Sequence, residues 1–306
     1  MKFIDLRTRA EVAFIPHPIV LCIGDFDGVH IGHRQLVDAV LQKKNELEHS
    51  FEKLCAGAWF FDSNLYKSQD EIYSVNEKLD VFSELGLQYA IIADFNEMKS
   101  LTPSDFVLDV LQNGCCCVHA VCGENFRFGS KASGDAAMLK NLMQDNATIV
   151  PLLKAEQTVV SSTYIRSLLS EGDIEKVNEL LETRYSITET VVHGKALGRK
   201  LGIPTINQNV NYKKLILKNG IYATICTVDD KQYYGVTNVG VRPTVENTAS
   251  QNVETFLINY DGDCYDKNVK VEFCNKLRDE MKFENVDALK AQILCDIEAT
   301  KKYFNI

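Results

Sequence analysis

The sequence predicts two domains of unlike class: an α/β domain on a parallel sheet, then an antiparallel β-barrel closed by a C-terminal helix. Three observations lead there. Through residue 183, short apolar runs alternate with stretches of helical spacing. From 187 to 274, strand-like segments follow one another without helices between them. The last segment carries a single apolar helical face. A chain of 306 residues is long enough to give each domain its own core, and the expected boundary falls tightly between 183 and 184.

In the first domain, residues 1–183, the expected strands are 19–23, 54–61, 89–93, 117–122 and 148–153. Helical spacing falls between them at 36–47, 75–85, 103–111 and 136–143, and a last helix at 173–181 closes the domain. Connections this short imply parallel strands with helices on both faces of the sheet. Ligands of such sheets bind beyond the carboxyl ends of the strands. In the second domain, residues 184–306, the segments 187–192, 221–228, 233–239, 254–258 and 269–273 read as strands. Asn-Gly, Asp-Asp and Asp-Gly-Asp turn signals separate them, so the sheet is expected to be antiparallel and closed. Val286, Leu289, Ile293 and Ile297 share one face of the final helix, with Asn285 as N-cap, and this helix is expected to cover an opening of the barrel.

Composition narrows the setting. Hydrophobic content of 45% with 25% charged residues is that of a soluble globular chain, and no apolar stretch approaches the ~20 residues that span a bilayer. The mixed, charged segment from Met1 to Arg9 has no apolar run behind it, so a secretory leader is not expected. The ten cysteines form no CxxC and no zinc spacing, which points to small apolar residues in a reducing cytoplasm. A net charge of −9 argues against nucleic-acid partners, whose binding needs clustered Lys and Arg. No membrane partner is expected, and self-association is compatible with the composition.

The densest local signal is Gly24-Asp25-Phe26-Asp27-Gly28-Val29-His30-Ile31-Gly32-His33, placed between an apolar strand and a helix. Free backbone N–H groups and the positive end of a helix converge there, so Gly24, Asp25, Phe26, Gly28 and Gly32 form a phosphate cradle. His30 and His33, three apart, can face the same anion; this is the HxGH signature of nucleotidyl transfer. A second motif, Gly123-Glu124-Asn125-Phe126-Arg127-Phe128-Gly129, also follows a strand. A third, Ser161-Ser162-Thr163-Tyr164-Ile165-Arg166, opens a helix and offers hydroxyls and one guanidinium.

With Val75-Asn76-Glu77-Lys78-Leu79, these motifs resemble the FMN adenylyltransferase module of the bacterial bifunctional riboflavin kinase/FAD synthetases. The literal His-Ile-Gly-His also occurs in class I aminoacyl-tRNA synthetases. This chain has neither their KMSKS-like lysine loop nor a basic tRNA-binding appendage.

The second domain resembles the riboflavin kinase of the same family. His193-Gly194-Lys195-Ala196-Leu197-Gly198-Arg199-Lys200-Leu201-Gly202-Ile203-Pro204-Thr205-Ile206-Asn207 is similar to its glycine-rich loop. Gly220-Ile221-Tyr222-Ala223, the stretch from Gly235 to Thr244 and Leu277-Arg278-Asp279-Glu280-Met281-Lys282-Phe283 match further family segments.

The resemblance implies two ATP-dependent transfers, riboflavin to FMN and FMN to FAD. For the kinase it implies Glu254 as catalytic base and Mg²⁺ at Thr205 and Asn207. Gly194, Gly198, Arg199, Gly202 and Pro204 would hold ATP, and Asn238, Arg242 and Arg278 the flavin. For adenylyl transfer it implies His30 and His33 on the transferring phosphates, with Ser162, Thr163 and Arg166 on the leaving pyrophosphate. Asn125, Arg127, Phe128 and Phe61 would meet the flavin. Three departures from the family stand out. Ser63-Asn64-Leu65 replaces a Pro-His-Pro after the second strand, Ile206 replaces an alanine and Asp266 a turn glycine. A kinase whose first domain serves only as a regulatory flavin- or nucleotide-binding module is the alternative reading.

Overall fold

The computed structural model describes residues 1–7, 15–62, 70–194, 198, 202–210, 214, 217–242 and 250–306, with the side chains of Val241, Arg242 and Ser250 excepted. The Ser63-Asn64-Leu65 departure, Arg199 and the Arg242 side chain therefore lie outside the described residues. Packing divides the chain into two compact units, Met1–Tyr164 and Ile165–Ile306.

The first unit is built on a six-stranded parallel sheet. Across the sheet the order is Lys2–Asp5, Tyr89–Ala93, Cys55–Phe61, Ile19–Ile23, Cys117–Gly123 and Ala147–Val150. The strands expected at 19–23 and 89–93 have those bounds, and the edge strand ends at Val150 rather than 153. The strand Lys2–Asp5 was not legible as one, because its four residues sit at an exposed edge with two charges. The central strand Ile19–Ile23 is buried at every position, which explains its unbroken apolar run.

Alternate side chains of that strand serve opposite faces. Ile19, Leu21 and Ile23 join a core with Phe106, Val107, Val110 and Leu111. On the other face, Phe60 packs on Phe82 at 5.8 Å, and the helix Ile31–Leu47 buries Leu36, Val37 and Val40. The stretch expected as helix 103–111 begins with a capping box, Thr102 with Asp105, and continues as a π-helix from Phe106 to Gly114.

Ile19–Ile23 is flanked by Cys55–Phe61 on one side and Cys117–Gly123 on the other, so the winding direction reverses there. Both glycine-bearing motifs of this unit leave the sheet from that point. This is the position at which an open parallel sheet offers a crevice.

The second unit is a closed antiparallel barrel of six strands, ordered Ser186–Val192, Ile206–Asn209, Ser250–Leu257, Lys231–Arg242, Gly220–Val228 and Asn268–Arg278. The Asp229-Asp230 turn has φ values of 46° and 62°, which gives the two-residue hairpin that the sequence signals. The strand Ile206–Asn209 was read as loop because it is short and polar. The helix Val286–Phe304, capped by the Asn285 carboxamide on the Ala288 N–H, packs Ile293 and Ile297 against Ile221, Val236 and Phe256. It covers one face of the barrel wall rather than an opening.

The helix Ile174–Leu181 packs with this unit, although the alternating rhythm of the sequence grouped it with the first domain. Asn178 explains the difference. Its Oδ1 accepts the Tyr185 N–H at 2.8 Å, and its Nδ2 donates to the Phe273 carbonyl at 2.8 Å.

Candidate active sites

In the first unit the HxGH turn is held from within. Asp27 is fully buried, and its Oδ1 accepts the N–H groups of Ile72 and Tyr73 at 2.9 and 3.1 Å. Gly28 sits at φ 82°, where only glycine turns without strain, while Phe26 and Val29 accept positive φ as the cost of the turn. The Phe26 ring lies in the core, so only its backbone remains available to a phosphate. The Gly24 N–H donates to the Trp59 carbonyl at 3.2 Å and continues the sheet ladder, which removes it from the expected phosphate donors.

His30 caps the helix Ile31–Leu47, its Nδ1 accepting the His33 N–H at 3.3 Å. The two imidazoles stack at 3.7 Å with 16° between their planes. Burial pushes the His30 pKa down to about 4, so the ring is neutral at pH 7. With Nδ1 accepting, the proton of the neutral ring resides on Nε2, which is then a hydrogen-bond donor.

Of the third motif, Ser161 is the residue whose Oγ accepts the Tyr164 N–H, at 3.2 Å. The Ser162 hydroxyl donates to the Asp27 carbonyl at 2.9 Å and ties this helix start to the HxGH turn. Its oxygen is thus a brace before it is a phosphate ligand. Thr163 is exposed, and Arg166 belongs to the second unit by packing.

A cavity of about 480 Å³ opens beside the second motif, lined by Trp59, Phe61, Phe95, Met98, Phe106, Phe126 and Phe128, with Arg127, Lys99 and Lys131 contributing charge. Of the residues that the resemblance offers to the flavin, Phe61, Phe128 and Arg127 line this cavity. Asn125 is exposed and does not line the cavity. Trp59, Phe95 and Phe106 were missed, because each sits in a stretch that also reads as core.

In the second unit, strand register assembles the site. Glu254 pairs with Asn207 on one side and Asn238 on the other, so the three side chains stand in a row on one face of the wall. Thr205, Glu254, Asn238, Arg278 and Gly198 all line a cavity of about 330 Å³ under the terminal helix. The Asn252 amide donates to Glu254 Oε1 at 2.9 Å and orients it. Asn238 Oδ1 is buried without a hydrogen-bond partner among the described residues, an acceptor that a ligand can satisfy.

Arg278 is committed before any flavin arrives. Its Nε and Nη2 hold both Asp296 oxygens, at 2.9 and 2.7 Å, and so bind the barrel to the terminal helix. Asn207 is buried against Gly194, where a Cβ would stand 2.6 Å from its amide. Pro204 lines a smaller neighbouring cavity that shares Thr205, and Gly202 lies in an exposed turn.

Thr205 and Asn207 offer neutral oxygens only, and the described residues contain no cluster of three His, Cys, Asp or Glu able to hold a metal by itself. Such a donor set fits Mg²⁺ that arrives with nucleotide phosphates as its main ligands.

Eight of the ten cysteines are buried, as expected of apolar residues, while Cys116 is half-buried and Cys295 exposed. Burial pushes Cys115, Cys122 and Cys226 up to about 12, which keeps them protonated and unreactive. No helix among the described residues is long and apolar enough to cross a membrane.

Comparison with known proteins places these two sites in context. Residues 14–164 match the family model described as FAD synthetase, and residues 181–304 that described as riboflavin kinase. A relative from Haemophilus influenzae named bifunctional riboflavin kinase/FMN adenylyltransferase is 34% identical, covering 93% of this chain and 94% of its own. One of the same name from Buchnera aphidicola is 32% identical over 93% of both. A crystal structure from Streptococcus pneumoniae, titled as a macrolide-efflux protein, has the same fold over 98% of both chains, with a TM-score of 0.89 at 25% identity. Two family models in register, two relatives above 30% identity along nearly full length, and a barrel and sheet that carry the matching motifs agree: the chain belongs to the bifunctional riboflavin kinase/FMN adenylyltransferase family.

Proposed function

We propose that the chain carries both activities of its family, phosphorylating riboflavin to FMN in residues 184–306 and adenylylating FMN to FAD in residues 1–183. The observation that carries the reading is the register Asn207–Glu254–Asn238 across three barrel strands, with Glu254, Asn238 and Thr205 lining one cavity and Asn207 beside them in the wall. Glu254, oriented by Asn252, accepts the proton of the ribityl 5′-hydroxyl as that oxygen attacks the γ-phosphate of ATP. Thr205 and Asn207 would hold Mg²⁺, which neutralises phosphate charge when bound. Asn238 offers its unpartnered oxygen to the flavin. Arg278 acts through Asp296 by holding the terminal helix over the cavity.

In the first domain the FMN phosphate attacks the α-phosphate of a second ATP and displaces pyrophosphate. The His30 Nε2–H donates to the transferring phosphates as a neutral group beside His33. The backbone of Asp25, Phe26, Gly28 and Gly32 cradles the triphosphate at the helix start. The isoalloxazine enters the aromatic cavity between Phe61 and Phe128, and Arg127 stands at its rim. The cytoplasm is the compartment that suits ten free, mostly buried thiols.

Glu254→Gln keeps the shape of the base and removes its proton affinity. Riboflavin phosphorylation is expected to fall ~10²–10⁴-fold while conversion of supplied FMN to FAD continues. Chromatography of the flavins decides it. Phosphorylation within about threefold of the parent would remove Glu254 from the role of base.

A further inference from the structure

We propose that the indole N–H of Trp59, the single tryptophan of this chain, is the hydrogen-bond donor that the aromatic cavity of the first unit holds for the polar edge of its flavin. The inference rests on the reading above that this cavity receives the isoalloxazine of FMN.

Trp59 is 1% exposed, and its Nε1 has no hydrogen-bond partner among the described residues. A buried donor left unmade is costly, and native structures rarely keep one without a use. The ring is fixed from two sides. Phe61 meets it edge-on at 4.7 Å and Phe106 at 5.2 Å, with interplanar angles of 78° and 77°. Neither neighbour carries an acceptor.

The backbone fixes it as well. Trp59 pairs with Ile23 and Ile91 in adjacent parallel strands, and its carbonyl accepts the Gly24 N–H that begins the HxGH turn. The donor therefore stands on a rigid strand one hydrogen bond from the nucleotide-binding turn. The remaining apolar lining, Phe95, Met98, Phe126 and Phe128, can stack on a ring but cannot recognise its polar edge. The cationic lining residues Lys99, Arg127 and Lys131 are exposed to solvent, which leaves the indole N–H as the buried, fixed donor. Flavin differs from a plain aromatic hydrocarbon by the carbonyl oxygens and imine nitrogens of its pyrimidine side. One fixed N–H distinguishes the two, as buried polar groups do in selective sites. Trp59 is thus a specificity residue for FMN, and its neighbours supply the stacking.

The test uses the intact protein and FMN without ATP. The indole Raman mode that tracks N–H hydrogen-bond strength belongs here to one residue, so no assignment is needed. Saturating FMN is expected to shift that mode toward the hydrogen-bonded position. Trp59→Phe is expected to weaken FMN binding roughly fivefold, the size of one net hydrogen bond. Without ligand, the variant is expected to unfold within a few degrees of the parent, because it also loses an unsatisfied donor. Its melting temperature should rise less on adding FMN.

Phe61→Ala and Phe95→Ala separate this inference from the reading beneath it. If both leave FMN affinity unchanged, the cavity is not the flavin site and both readings fall. If both weaken FMN while the indole mode stays still and Trp59→Phe binds like the parent, the cavity stands and the Trp59 inference is overturned.

Discussion

His30 caps a helix through Nδ1 and is held neutral by burial. In the proposed mechanism its Nε2–H is the group offered to a phosphate. The motif places two histidines at a helix start but says nothing of their protonation, because desolvation by the surrounding fold is not visible in a local pattern. The pH dependence follows with a definite sign. The folded pKa of about 4 lies below the ordinary 6.5, so the unfolded chain takes up the proton first as pH falls. Stability from this group is complete above about pH 6.5 and is lost progressively toward pH 4. His119, lowered to about 4 by burial, adds to the same window. In His30→Asn the carboxamide keeps the cap and removes the titration, so the loss of melting temperature between pH 6.5 and 4.5 should be smaller than in the parent. Adenylylation should fall on the order of 10²-fold at pH 7.5, with phosphorylation unaffected. A variant that adenylylates at the parental rate would reduce His30 to a cap.

The elements that position the kinase site were partly legible. The alternation of the long barrel strands and the apolar face of the final helix can be read from residue spacing. The strand Ile206–Asn209 cannot, since its pairing with Thr255, Glu254, Val253 and Asn252 is long-range and its own residues are polar. The same holds for the strap between Arg278 and Asp296; the resemblance offered Arg278 alone, as a flavin contact. Asp296 is 4% exposed and is held by Arg278 and by the Gln292 amide at 3.0 Å. Asp296→Ala leaves the guanidinium without its partner and frees the helix end over the cavity. The barrel's unfolding transition should lose on the order of 2 kcal/mol, since Arg278 keeps some access to water. The KM for riboflavin should rise several-fold, with a smaller change in kcat. An unchanged KM would mean that the helix does not shape the flavin cavity.

Across the whole molecule, two candidate sites of different architecture stand on one chain, one at the strand ends of the parallel sheet and one on the barrel. The motifs that point to both were legible in the sequence, because they lie at strand ends and in a glycine-rich loop whose chemistry is local. Part of the aromatic cavity escaped, because Trp59, Phe95 and Phe106 join Phe61 and Phe128 only after the sheet and the π-helix bring them together. The Ser63-Asn64-Leu65 segment in place of Pro-His-Pro should loosen positioning of substrate for adenylyl transfer, where a displacement of ~1 Å can cost ~10²-fold. Rebuilding it as Ser63→Pro, Asn64→His and Leu65→Pro should speed FAD formation and leave FMN formation alone. The most direct measurement is a time course of the intact protein with riboflavin, ATP and Mg²⁺, with the three flavins separated by chromatography. FMN is expected to appear first and to accumulate, followed by FAD at a slower rate. FMN without any FAD, even when FMN is supplied in excess, would contradict the two-site account and leave a kinase with a regulatory first domain.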